Sequence, residues 1–205
     1  MIKKLNVPNK LSILRVILTF SFVAAAVFLR NCHVLTRAIP AFLFGMAALT
    51  DFFDGKIARE QNIVTDFGKF IDPLADKFMI FGACITFLVI DPHTAPTFLW
   101  ISAIIMLREL AVTSMRLVVA NTSGIVISAS FFGKCKTVVQ IVAVLLMFLE
   151  PVFGWFSALI GIDFLTAIFS RAILSYIAMV IMGIVTLASG IDYMRAYFPY
   201  INTNK

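Results

Sequence analysis

Four aspartates recur at helical spacing within one short segment of an otherwise apolar sequence. They are Asp51, Asp54, Asp72 and Asp76. The first two are three residues apart and the last two are four apart, so each pair falls on one face of a helix. A short turn through residues 60–65 would place the two helices side by side. The spacing therefore predicts that four carboxylates point into the space between two helices.

Carboxylates gathered in this way need a cation. Neighbouring negative charges raise one another's pKa, and an ionised side chain inside a membrane costs roughly 2.5–3.5 kcal/mol on insertion scales. Lys56, Arg59 and Lys69 could neutralise part of the charge. Oxygen donors from two rigid helices are also the ligands that Mg²⁺ or Mn²⁺ prefers, with substrate phosphates completing the coordination shell. We infer that the segment binds one or two divalent ions.

The residues beside the aspartates are small or basic. Gly55, Ala58 and Gly68 leave room for a bulky ligand against the helix backbone. Arg59 can pair with a phosphate as a planar fork. Small residues also allow close packing of membrane helices, and for any single glycine that is the better interpretation. The whole arrangement favours a pocket for a metal-bound pyrophosphate.

The rest of the chain indicates that a bilayer is its main solvent. Of its 205 residues, 61% are hydrophobic and 14% are charged. Apolar runs of about 20 residues can cross a hydrocarbon core as helix, so we predict an all-α polytopic membrane protein with six spans. The predicted spans are residues 11–29, 38–58, 69–90, 95–118, 134–149 and 172–194. Residues 151–170 are also apolar, but Pro151 and two glycines interrupt them. There we expect a short re-entrant or interfacial segment rather than a seventh span.

The basic residues indicate an orientation. The net charge of +6 is dispersed along the chain and falls mainly at helix ends, which fits the positive-inside rule better than nucleic-acid binding. With the N-terminus in the cytosol, the basic residues predicted on the outer side are Arg30, Arg37 and Arg171. The aspartates then lie at the cytosolic face of a cell's inner membrane. The first apolar run resembles a signal peptide, but it continues to Leu29, which favours an uncleaved span.

A second basic group lies at the predicted cytosolic ends of spans four and five. It consists of Arg108, Arg116, Lys134 and Lys136. In the inferred topology these side chains are near enough to converge beside the aspartates, as a phosphate-bearing second substrate would require. Any one of them could equally be a plain membrane anchor.

These residues reproduce the signature of a known family. Asp51 to Asp76 match the pattern D-x-x-D-G-x-x-A-R-x8-G-x-x-x-D-x-x-x-D, and the chain is thereby identified as resembling the CDP-alcohol phosphotransferases. Eight positions at fixed spacing make this signal specific. Further segments resemble the bacterial phosphatidylglycerophosphate synthase branch: VPNKLSILRV, FGKFIDPLADK, LRELAVTSMRLV, GKCKTVVQIVA and SGIDYM. Ser12 departs from the commoner threonine.

The resemblance implies a single membrane domain over residues 1–205 with six transmembrane helices, usually a homodimer. It implies an enzyme of phospholipid biosynthesis that joins an alcohol to the phosphatidyl group of CDP-diacylglycerol and releases CMP. Asp51, Asp54, Asp72 and Asp76 would hold the metal, and Asp76 would also act as general base. The implied nucleotide-lipid residues are Asn9, Ser12, Gly55, Ala58, Arg59 and Gly68. Together with the matching segments, the second basic group favours glycerol 3-phosphate as the acceptor.

Other functions are compatible with parts of this pattern. Within the family, a cardiolipin synthase of this fold would use phosphatidylglycerol as acceptor, and another relative would use an inositol phosphate. An ion transporter also carries intramembrane carboxylates, but these are normally spread through the bilayer depth and set in repeated halves. The aspartates here are bunched, and no internal repeat is visible. A purely structural scaffold would leave four costly carboxylates without a role.

Overall fold

The chain folds into long helices, as the hydropathy predicts. The structure is a computed structural model that describes residues 6–61, 66–123 and 131–200. Its α-helices are α1 (Val7–Phe28), α2 (Ala38–Gln61), α3 (Asp66–Ile90), α4 (Ala95–Ser123), α5 (Phe131–Ile160), α6 (Asp163–Ser170) and α7 (Ile173–Tyr197). Short 3₁₀ turns occupy Val34–Arg37 and Phe198–Tyr200. No strand occurs in these described ranges, which confirms the all-α class.

Each of the six predicted spans falls within a separate long helix, except that the first and the last extend one residue beyond theirs. Five helices, α1, α2, α3, α5 and α7, are long and apolar enough to cross a membrane. Helix α4 is not among these five, and Arg108, Glu109 and Arg116 lie along it. Large apolar side chains, including Phe20, Phe42 and Trp100, cover the outside of the bundle. The chain is a multi-pass membrane protein, and the sixth crossing stays a prediction.

The prediction of a separate segment over residues 151–170 is wrong in its first half. Helix α5 continues through Pro151 to Ile160. Proline is tolerated inside a membrane helix because neighbouring helices can compensate for the lost backbone hydrogen bond. The helix is followed by Gly161, whose φ of +78° is a conformation that glycine adopts readily. The second half forms α6, whose eight residues are too short to cross a bilayer.

An aromatic core holds α1, α2, α3 and α5 together. Phe148 of α5 lies against Phe22 of α1, with ring centroids 5.4 Å apart, and against Phe87 of α3, at 4.6 Å. Phe44 of α2 contacts the same Phe22 ring at 5.4 Å. All four rings are almost completely buried. Edge-on aromatic packing of this kind fixes the helices that carry the aspartates against the helix that carries Lys134 and Lys136.

A buried carboxylate fixes α5 against α7. Glu150 accepts hydrogen bonds from the backbone N–H groups of Leu174, at 2.8 Å, and Ser175, at 2.7 Å. The Ser175 hydroxyl also donates to it. The first N–H groups of a helix have no partner within the helix, and they carry the positive end of its dipole. Glu150 therefore caps α7, in place of a side chain from the preceding turn.

Candidate functional site

A polar stripe runs along one face of α1. Asn9, Ser12, Arg15 and Thr19 are all buried, at spacings of three, three and four residues. Most of the remaining residues of this helix are apolar. Polar side chains inside a membrane protein need partners, and the stripe finds them on the neighbouring helices.

Arg15 joins two of the predicted aspartates. Its Nη1 atom lies 2.9 Å from Oδ1 of Asp51 on α2, and the same nitrogen pairs with Oδ1 of Asp76 on α3. The Arg15 side chain is completely buried, whereas the side chains of Asp51 and Asp76 keep 37% and 52% of their surface exposed. One turn earlier on α1, the Ser12 hydroxyl donates to Asp72. The α1 stripe thus reaches three of the four aspartates.

Two of the predicted metal ligands converge in the structure. Asp51 and Asp76 approach one point from different helices, and a positive charge lies between them. Carboxylate oxygens in this arrangement are the donors that divalent ions such as Mg²⁺ and Mn²⁺ take. The part of the chain with described side chains holds no group of three or more potential ligands close enough for a metal. The side chain of Asp54, the fourth predicted ligand, lies outside it.

A cavity of about 390 Å³ opens beside these carboxylates. Its walls come from α2, α3, α4, α5 and α7. Among its lining residues are Asp51, Asp76, Lys77, Arg108, Glu109, Thr113, Arg116, Gly133, Lys134, Lys136, Thr137, Gln140 and Tyr193. The structure therefore places all four predicted acceptor residues on the same cavity as two of the predicted aspartates. Five basic and three acidic side chains are among the described lining residues, so the described lining carries a net positive charge.

Glu109 organises the basic side of the cavity. Its Oε1 atom pairs with Nζ of Lys136 and lies 3.3 Å from Nη1 of Arg108. Nη2 of Arg108 also donates to the Ser189 hydroxyl of α7, at 2.5 Å. These contacts hold Arg108 and Lys136 in place beside each other. The side chains of Arg116 and Lys134, by contrast, are exposed.

Tyr193 forms a platform for the two arginines. The Cζ atoms of Arg108 and Arg116 lie 5.2 Å and 5.7 Å from the centre of its ring, as in cation–π pairs. Nη2 of Arg116 is 3.4 Å from the Tyr193 hydroxyl. Gly133 makes room for this ring, because a Cβ atom there would lie 2.8 Å from the Tyr193 hydroxyl oxygen. Tyr193 thus contacts both arginine side chains at the cavity wall.

The described cavity lining includes none of the predicted nucleotide residues. Asn9, Ser12 and Gly68 are buried, and none of them is part of the described cavity lining. Gly55, Ala58 and Arg59 lie in the last turns of α2, and their side chains fall outside the described residues. The structure therefore brings two of the predicted metal ligands, Asp51 and Asp76, to the cavity of the predicted acceptor residues, whereas Asn9, Ser12 and Gly68 are not part of its described lining.

Sequence reasoning missed several residues of this site, among them Arg15, Glu109, Gln140 and Tyr193. Arg15 had a detectable signal, because it continues the polar spacing of Asn9 and Ser12 inside an apolar run. Glu109, Gln140 and Tyr193 all fall in segments quoted for the family resemblance. Their contribution depends on packing between α4, α5 and α7, which spacing along the chain does not reveal.

Comparison with known proteins agrees with the motif. Residues 5–188 match the family model described as CDP-alcohol phosphatidyltransferase. The chain is 43% identical over 148 residues to the CDP-diacylglycerol–glycerol-3-phosphate 3-phosphatidyltransferase of Bacillus subtilis, covering 68% of this chain and 74% of that protein. Proteins of the same name are 31% identical in Rickettsia typhi, covering 95% of this chain and 98% of theirs, and 30% identical in Pseudomonas fluorescens, covering 98% and 94%. On this evidence the chain belongs to the CDP-alcohol phosphatidyltransferase family.

Proposed function

We propose that this membrane enzyme transfers the phosphatidyl group of CDP-diacylglycerol to sn-glycerol 3-phosphate. The products are phosphatidylglycerol phosphate and CMP, and the reaction belongs to phospholipid biosynthesis. One observation carries the proposal: a single cavity is lined by Asp51 and Asp76 together with Arg108, Arg116 and Lys136. Such a cavity can bind an anionic acceptor next to carboxylates. The names of the relatives at 30–43% identity support the same reaction.

In this proposal the aspartates are the metal ligands. Asp51, Asp54, Asp72 and Asp76 would hold two divalent ions, Mg²⁺ or Mn²⁺. When bound, these ions neutralise the pyrophosphate and the charge that builds on departing CMP. Asn9, Ser12, Gly55, Ala58, Arg59 and Gly68 form the nucleotide-lipid side in this proposal. Ser12 is suited to positioning Asp72, because its hydroxyl donates to that carboxylate.

Asp76 acts as the general base. Half of its side chain is exposed, and it lines the cavity that the acceptor would enter. It takes the proton from the terminal hydroxyl of glycerol 3-phosphate as that oxygen bonds to the phosphatidyl phosphorus. The bond from this phosphorus to the bridging oxygen breaks, and the electron pair leaves with CMP. Arg15, paired with both Asp76 and Asp51, keeps the base oriented.

The basic side of the cavity selects the acceptor. Arg108, Arg116, Lys134 and Lys136 would bind the acceptor phosphate, with arginines offering paired N–H donors to its oxygens. A phosphate monoester carries up to two negative charges, and the net positive lining matches it. The phosphodiester of phosphatidylglycerol carries one charge and two acyl chains. The cavity therefore favours glycerol 3-phosphate over the acceptor of a cardiolipin synthase.

The charge distribution indicates which side of the membrane the cavity faces. We place residues 1–205 as one catalytic domain in the cytoplasmic inner membrane, with the cavity open to the cytosol, where glycerol 3-phosphate is dissolved. Most basic residues then obey the positive-inside rule. Assembly as a homodimer is part of the same proposal, and it rests on the family resemblance.

CMP release by the purified protein tests the function. The protein in detergent is mixed with CDP-diacylglycerol and with glycerol 3-phosphate, phosphatidylglycerol or an inositol phosphate in separate reactions. We expect CMP only with glycerol 3-phosphate. A chelator should abolish it, and Mg²⁺ or Mn²⁺ should restore it. CMP release with phosphatidylglycerol but not with glycerol 3-phosphate would overturn the proposal in favour of cardiolipin synthesis.

A further inference from the structure

One buried amide in the cavity has an unused hydrogen-bonding atom. Gln140 of α5 lies one helical turn beyond Lys136, is completely buried, and belongs to the cavity lining. Its Nε2 atom donates to the Thr186 hydroxyl of α7, at 3.2 Å. Its Oε1 atom has no hydrogen-bond partner among the described residues. The amide nitrogen is therefore paired, whereas the amide oxygen is buried and has no partner among the described residues.

An unpaired buried amide oxygen is costly. Leaving such a group without a partner destabilises a protein, and most buried polar atoms are paired. Arg108, on the same cavity, has a buried Nε atom that is likewise unpaired among the described residues. Two residues of the cavity lining thus each carry a buried polar atom without a partner among the described residues, one an acceptor and one a donor. A ligand with a hydroxyl and an anionic oxygen would satisfy both.

We propose that Gln140 is a specificity-determining residue that accepts a hydrogen bond from the central hydroxyl of the acceptor. This inference rests on the proposed function. The acceptor phosphate lies against the basic side chains and its terminal hydroxyl must reach Asp76, so the central hydroxyl lies between these two points. Gln140 lines the same cavity, and its Oε1 atom accepts from a hydroxyl donor. The enzyme would therefore distinguish glycerol 3-phosphate from phosphates that lack this hydroxyl.

An acceptor without the central hydroxyl isolates the contact. 3-Hydroxypropyl phosphate keeps the phosphate and the terminal hydroxyl of glycerol 3-phosphate and lacks only the central one. CMP release with CDP-diacylglycerol is measured for both acceptors, and the ratio of their kcat/KM values is compared between enzymes. For the wild type we expect glycerol 3-phosphate to be preferred by at least about 10-fold, as for the loss of one substrate hydrogen bond.

Two variants separate recognition from packing. Gln140→Met keeps the size of the side chain and removes the amide, whereas Thr186→Val removes the same hydrogen bond between α5 and α7 and keeps the amide. We expect Gln140→Met to reduce the preference to near 1, mainly by slowing the reaction of glycerol 3-phosphate. Thr186→Val should keep most of the preference. If Gln140 only joined the two helices, both variants would lower activity on the two acceptors alike and leave the ratio unchanged.

The outcomes distinguish this inference from the proposed function. A wild-type preference near 1, or a preference that Gln140→Met leaves intact, would overturn the role of Gln140 while glycerol 3-phosphate still supports CMP release. Absence of CMP release with glycerol 3-phosphate would overturn the proposed function itself. The wild-type ratio requires no variant, so it tests the inference even if Gln140→Met fails to accumulate in the membrane.

Discussion

Nη1 of Arg15 lies 2.9 Å from Oδ1 of Asp51 and also pairs with Asp76, so one buried arginine links α1 to both helices that carry the aspartates. Without this positive charge, the carboxylates of Asp51 on α2 and Asp76 on α3 would lie close together with no cation between them. Their repulsion would oppose the convergence on which the site depends. Arg15 therefore acts as a counter-ion built into the fold, and divalent ions would add to the charge it supplies.

Replacement of Arg15 should make folding more dependent on metal. Arg15→Met removes the guanidinium and should lower the Tm of the chelator-treated protein by roughly 2–8 °C, because two converging carboxylates lose their partner. Mg²⁺ or Mn²⁺ should raise the Tm of the variant more than that of the wild type. Arg15→Lys, which keeps the charge, is the matched control. Equal metal-induced shifts in wild type and Arg15→Met would contradict the counter-ion role.

Substitution of the two cavity aspartates should impair different properties, catalysis for Asp76 and binding for Asp51. Asp76→Asn removes the proposed base and should slow CMP release by at least about 100-fold, with part of the CDP-diacylglycerol binding retained. Asp51→Asn removes a proposed metal ligand and should weaken Mn²⁺ and CDP-diacylglycerol binding together. Both affinities can be measured by titration calorimetry in detergent. Equal loss of binding in the two variants would refute the division of roles.

Arg116 should affect the acceptor more than the nucleotide lipid. It is exposed on the cavity, and its described side-chain contacts are with Tyr193. Arg116→Gln should raise the KM for glycerol 3-phosphate by about 10-fold or more, the size of one lost charge-assisted hydrogen bond, and change the KM for CDP-diacylglycerol little. Arg171→Gln is the control, because Arg171 is exposed and is not part of the described cavity lining. Unchanged acceptor kinetics in Arg116→Gln would count against the predicted phosphate contact.

Gly133 should be required for the position of Tyr193. A methyl group at Gly133→Ala would lie 2.8 Å from the Tyr193 hydroxyl oxygen and 2.9 Å from Cε2 of the ring, so the ring must move. Because Arg108 and Arg116 both contact that ring, we expect a several-fold higher KM for glycerol 3-phosphate. Gly45→Ala is the matched control, since a Cβ there would lie 3.7 Å from its nearest neighbour, Leu145. Similar acceptor kinetics in both variants would show that the ring position is not critical.

The amino-acid sequence alone determined the class of protein and its signature. Apolar runs long enough for a bilayer predict helices α1 to α5 and α7, because a chain in lipid must satisfy its backbone hydrogen bonds internally. The spacing from Asp51 to Asp76 identified the family, since helical periodicity turns positions three and four residues apart into one face. These are local properties, and they can be read along the chain. The boundary at Pro151 was misjudged because neighbouring helices allow α5 to continue to Ile160.

The partners of those residues were decided by tertiary structure. Arg15 is 61 residues from Asp76, and Arg108 is 81 residues from Ser189, yet each pair is in contact. Contacts of this kind depend on which helix faces pack together, and that is set by the aromatic core and by the Glu150 cap of α7. Packing between helices also leaves the amide oxygen of Gln140 without a described partner and places the Tyr193 ring against Arg108 and Arg116. Helical spacing orders side chains on one helix, whereas packing between helices decides which of them meet.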